Sequence, residues 1–154
     1  MELSYSARII NVRGYTVATA AVALGVGPKW VDNTLSHYRV PGVYQSRQGI
    51  ARRLTAESVV VLEIALRLMR SLSIPLHAAL EISSVIANDA ASTYSAGGCS
   101  VRIDMTAVRT ATERRLAEAV EFAPAPRRGR PSTKDSARAS AYVTQRAKKS
   151  EGLL

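Results

Sequence analysis

The chain has 154 residues and a formal charge of +9, enough for one compact domain with a tail, and a basic balance that favours polyanions such as nucleic acid. With one Trp, one Phe and six Tyr, its apolar content implies a core of Ala, Val, Leu and Ile in packed helices. The most apolar run, Val59–Leu66, is short and carries Glu63, which excludes a membrane span, and the single Cys99 excludes an intrachain disulfide and points to a reducing cytoplasm.

Met1–Tyr15 contains Ala7–Val12, rich in β-branched residues, and is expected to form a short strand or arm. Arg8 and Arg13 in it are solvated charges or phosphate contacts. Thr16–Tyr38 then carries the pattern of two short helices with a tight turn. Thr16 is placed to cap Val17–Leu24, a compact Ala-rich helix. Gly25 suits the left-handed conformation that ends it, and Pro28 suits the first position of the next helix. Ala21 provides a small residue at the helix crossing, while Leu24, Val26, Val31 and Leu35 provide apolar anchors. The second helix leaves Lys29, Asp32, Asn33 and Ser36 on its outer face. These are side chains suited to base edges and phosphates in a major groove. His37 and Arg39 extend that surface; His37 could also pack beneath the segment that follows.

Val40-Pro41-Gly42 breaks the helix, since a proline disfavours helical geometry in the residue before it. Val43–Gln45 and Ile50–Leu54 form two short strands around Ser46–Gly49, a hairpin carrying Arg47, Arg52 and Arg53. Placed after a recognition helix, such a hairpin is a wing that tracks the DNA backbone. Thr55 caps a core helix over Ala56–Ser71, with Glu57 in its first turn. Ser73 or Ile74 starts another helix, with Pro75 in its first turn, ending near Asn88.

Together, Thr16–Tyr38, the pair Tyr38-Arg39, the wing residues Arg47, Gly49 and Arg53, Leu54-Thr55, and the succession RLMRSLSIPLHAALEI over 67–82 resemble the MerR family of winged helix-turn-helix regulators. The resemblance covers about residues 15–87. It implies double-stranded DNA binding through helix 28–38 and the wing, as a homodimer on a palindromic site. The family's long dimerisation helix and effector domain are not evident. Asn88–Gly98 is instead expected to be a loop, Ser100–Ile103 a strand, and Met105–Glu121 a helix with Val108, Leu116 and Val120 inward. This unit offers a dimer interface by edge pairing, or completes a monomeric core.

Residues 122–154 carry eight Lys/Arg against Asp135 and Glu151 and have no apolar periodicity, the composition of a disordered basic tail. Within it, Arg128-Gly129-Arg130-Pro131 resembles the core of an AT-hook, which lies in the minor groove of A·T-rich DNA.

No catalytic or metal-ligating constellation is spelled out: His37, His77 and Cys99 lack ligand spacing, and no phosphate-binding glycine loop occurs. Glu63 and Glu81 are expected on solvent faces, His77 partly buried, and Cys99 a small buried residue. The expected architecture is therefore mainly α. It comprises a winged helix-turn-helix over 1–87, a loop, strand and helix over 88–121, and a disordered basic tail over 122–154. The expected function is sequence-specific, repressor-like DNA binding near the nucleoid, with no cofactor, metal, membrane partner or evident small-molecule effector, and no enzymatic activity. An architectural or recombination-accessory protein, or an antitoxin-like protein whose tail binds a partner, are the other readings of the same features.

Overall fold

The computed structural model describes residues 14–45 and 50–123. It is mainly helical with small antiparallel sheets: β1 (Tyr15–Thr16), α1 (Val17–Leu24), α2 (Pro28–His37), β2 (Val43–Tyr44), β3 (Arg53–Leu54), α3 (Ala56–Leu72), α4 (Leu76–Asn88), β4 (Thr93–Ala96), β5 (Cys99–Arg102) and α5 (Met105–Phe122). Among the described residues no helix is long and apolar enough to cross a membrane.

The first helix pair forms as its local sequence dictates. Thr16 Oγ1 accepts the Thr19 backbone N–H at 3.0 Å, capping α1. Gly25 closes α1 at φ 67°, with Gly25 N donating to Val22 O and Val26 N to Ala21 O, the paired bonds of a Schellman motif. Pro28 opens α2. Ala21 and Val31 are fully buried, so the two helices meet through a small residue and a branched one.

β3 lies between β1 and β2 in an antiparallel three-stranded sheet, with Leu54 opposite both Tyr15 and Val43, and Arg53 opposite Thr16 and Tyr44. The two later strands are shorter than the sequence implies. At the point where the ladder would continue, the Gln45 side-chain amide donates to the Ile50 carbonyl at 2.6 Å. Leu54 is completely buried, which orients the sheet against the helices. The segment between α2 and β2 is fastened to the start of α3: Thr55 N donates to Gly42 O, and Ser58 Oγ donates to Pro41 O at 2.7 Å.

α3 is the central helix, buried from Ser58 through Leu66 and again at Leu68. It ends at Ser73, in the left-handed conformation at φ 54°. α4 therefore begins later than expected, at Leu76, with Pro75 as its N-cap rather than inside its first turn. Proline keeps the preceding Ile74 out of helical geometry, so the helix cannot start upstream of it.

The stretch expected to be a loop, Asn88–Gly98, instead contains β4. It pairs with β5 from Thr93↔Arg102 to Ala96↔Cys99 around Gly97-Gly98. Both glycines have positive φ, as the tight two-residue turn requires. Cys99 is exposed at this turn, not buried, because no described residue covers the tip of the two-stranded sheet. His77 is likewise exposed.

α5 packs across α1 and α3 and buries Met105, Val108, Thr112, Leu116 and Ala119 in the core shared with those helices. Val120, expected inward, is 59% exposed. The buried stripe continues from Leu116 by three residues to Ala119, which leaves Val120, the next position round the helix, outside it.

Glu63 also departs from expectation. It is 6% exposed and lies among core residues, where its carboxylate meets Arg67 of α3 and Arg115 of α5. Glu81 is exposed, as expected.

Candidate nucleic-acid interface

α2 has two unlike faces. Val31 and Thr34 are buried, and Trp30 and Leu35 are half-buried against the body. Lys29, Asp32, Asn33, Ser36 and His37 are all exposed. At about 100° per residue the first four of these share one arc of the helix. Arg39, just beyond the helix, is exposed as well.

The exposed face is not a row of independent side chains. Arg52 Nη1 donates to Asp32 Oδ1 at 3.2 Å, to the Asp32 carbonyl at 3.3 Å and to Ser36 Oγ at 2.9 Å. Ser36 Oγ in turn donates to the Asp32 carbonyl at 2.8 Å. Arg52 immediately precedes β3 and its side chain spans to α2. These are the only side-chain hydrogen bonds joining the hairpin to α2 among the described residues. The Arg52 side chain is 28% exposed and that of Asp32 61%, so the ion pair is open to solvent on one side.

Asn33 and His37 stand differently. The His37 Nδ1 lies 2.8 Å from the Asn33 carbonyl, one turn back along the helix. The ring is therefore tethered along α2 and not packed beneath the hairpin. The Asn33 side-chain amide makes no hydrogen bond among the described residues.

Arg53 is directed away from α2, unlike Arg52. Its Nη1 approaches the Gly14 carbonyl at 3.5 Å, and it stands opposite Tyr44 in the ladder. The Tyr44 hydroxyl lies over Gly14, where any Cβ would collide with it. Tyr44 is 46% exposed and borders the basic hairpin, a position that sequence reasoning does not single out. Its one signal in the sequence is an aromatic residue next to the basic hairpin.

Arg47, together with Arg128, Gly129, Arg130 and Pro131, lies outside the described residues, as do Arg8 and Arg13. The structure thus brings together six of the residues singled out from sequence, Lys29, Asp32, Asn33, Ser36, His37 and Arg52, on or against one helix. Arg53 is set apart from them, beside Gly14 and Tyr44.

Chemically, this surface offers a lysine ammonium, a free amide with both donor and acceptor, and a guanidinium with one amino group anchored. Such groups suit the base edges and phosphates of a nucleic acid. No protein-family model, curated protein or solved structure matches the chain, so the residues and their geometry carry the functional reading.

Proposed function

We propose that the protein is a sequence-specific double-stranded DNA-binding regulator of the winged helix-turn-helix kind, acting as a homodimer that represses by occupying its site. α2 enters the major groove and the hairpin acts as the wing. The basic tail, through Arg128-Gly129-Arg130-Pro131, adds affinity for an A·T-rich minor groove. One observation carries this reading: the polar arc of α2 faces solvent while its other side is buried, and Arg52 of the hairpin is tied into that same arc.

Selection of bound sequences from random duplex by the full chain, at fixed salt, tests the proposal. A defined motif with two related half-sites is the expected result, since dimer symmetry is mirrored in the site. Enrichment of A·T content without a motif would replace it with the architectural reading. No retention of duplex at low salt would overturn DNA binding altogether.

A further inference from the structure

We propose that Arg52 is the specificity-determining side chain of this surface and that it reads a guanine, with Asp32 and Ser36 acting as positioning residues and not as base readers. The inference rests on the DNA-binding reading above and assigns the work within it.

The geometry separates an anchored end from a presented end. All three hydrogen bonds of the guanidinium use Nη1, to Asp32 Oδ1, Asp32 O and Ser36 Oγ. Among the described residues Nη2 and Nε make none. A guanidinium held at one amino group keeps its plane fixed and projects its remaining donors as a fork. The major-groove edge of guanine offers two neighbouring acceptors, O6 and N7, which match that fork.

Charge argues for a base and against a phosphate. The Arg52–Asp32 pair is formally neutral, and the Asp32 carboxylate is the more exposed partner. A neutral pair gains little from a phosphate, and an exposed carboxylate is repelled by one. A base edge carries no net charge, so the carboxylate costs less in attraction there than at a phosphate while it fixes the arginine. Ser36 completes the cradle and is itself held by the Asp32 carbonyl. Asp32 Oδ1 and Ser36 Oγ are thereby engaged with Arg52.

The experiment repeats the random-duplex selection with the full chain and with Arg52→Lys, Arg52→Ala and Asp32→Ala, and adds affinity measurements on the preferred and an unrelated duplex. Arg52→Lys keeps the charge and removes the fork. It is expected to abolish the preference for G·C at one position in each half-site and to lower affinity for the preferred duplex on the order of 10-fold or more, with the other positions unchanged. Asp32→Ala is expected to weaken discrimination at that same position while raising affinity for unrelated duplex, a combination that mere loss of stability would not produce. Both side chains are partly exposed, and unchanged thermal unfolding checks that the variants fold. If Arg52→Lys retains the wild-type base preference, the assignment to guanine is overturned. If Arg52→Ala weakens all duplexes equally and reduces the log–log salt slope by about one, Arg52 binds phosphate and the assignment is overturned. If Asp32→Ala leaves the preference intact, its positioning role falls. Failure of the wild-type chain to bind any duplex overturns the underlying DNA-binding reading as well, and is distinguished by the absence of a reference motif.

Discussion

Arg115 of α5 donates from Nη2 to Oε1 of Glu63 in α3 across 2.9 Å, and Arg67 Nε reaches the same oxygen at 3.0 Å. The Glu63 side chain is 7% exposed and that of Arg115 15%, whereas that of Arg67 is 45% exposed. The carboxylate is thus held in the core by one half-buried and one outer arginine, and the half-buried one ties α5 to α3. Removing one partner of a buried pair costs roughly 3–5 kcal/mol when the other is left alone. Arg67 remains here, so Arg115→Ala is expected to cost somewhat less, about 2–3 kcal/mol, read from urea unfolding of the full chain. Arg67→Ala is expected to cost about 0–1 kcal/mol, the range of an exposed pair. Equal effects of the two substitutions would contradict the division of labour.

The packing of α5 gives a second test. Leu116 is completely buried and Val120 is 59% exposed, four residues further along the same helix. Leu116→Ala removes core packing and leaves a cavity, and is expected to destabilise by about 2–5 kcal/mol. Val120→Ala should change stability by no more than about 0.5 kcal/mol. Chemical denaturation of both variants decides the matter. A comparable loss for Val120→Ala would mean that this position is covered, for instance by a second copy of the chain, and sedimentation of the full-length protein would then show the dimer.

Two glycines with similar positive φ should respond differently to a methyl group. Gly25, at φ 67°, has open space where a Cβ would sit; Gly42, at φ 77°, would drive it into the hydroxyls of Thr55 and Ser58. Left-handed geometry alone costs an L-residue about 1–2 kcal/mol, which is the expected loss for Gly25→Ala. Gly42→Ala adds a collision at the junction where the α2–β2 segment meets the α3 cap. It should therefore exceed Gly25→Ala by about 1 kcal/mol or more. Thermal unfolding of the two variants would refute the contrast if the order were reversed.

The features legible in the sequence are those whose causes are local. Thr16, Gly25, Pro28 and Thr55 each settle a helix terminus within a few residues, and all four sit where capping chemistry puts them. The exposed arc of α2 follows from helical spacing around Val31. What escapes is the pairing of distant residues. Glu63 reads as a solvent-facing charge until Arg115, 52 positions away, is brought against it. Arg52 is legible as a basic hairpin residue, but its grip on Asp32 and Ser36 requires knowing how hairpin and helix meet. β4 is hidden for another reason. Its residues, Thr93–Ala96, are few and polar, and the Gly97-Gly98 turn signal merges into a longer stretch that looks like a loop.

Asn33 and Lys29 provide the last prediction, because the proposed DNA binding would give them different work on the arc of α2. Asp32 Oδ1 and Ser36 Oγ are bonded to Arg52, whereas the Asn33 amide is exposed and makes no hydrogen bond among the described residues. A free amide can donate to N7 and accept from the amino group of adenine at once, an interaction that depends on base identity. Asn33→Ala is therefore expected to cost about 1–3 kcal/mol on the preferred duplex and far less on an unrelated one. Lys29 lies in the first turn of α2, at the end of the arc, where a flexible ammonium reaches phosphate more readily than a particular base. Lys29→Ala should weaken all duplexes about equally and lower the log–log salt slope by about 0.9, as expected when one fewer phosphate is neutralised. Fluorescence anisotropy across a salt series on the two duplexes separates these outcomes. If Asn33→Ala behaves as Lys29→Ala is expected to, with uniform weakening and a reduced salt slope, α2 touches the backbone only and sequence is read elsewhere.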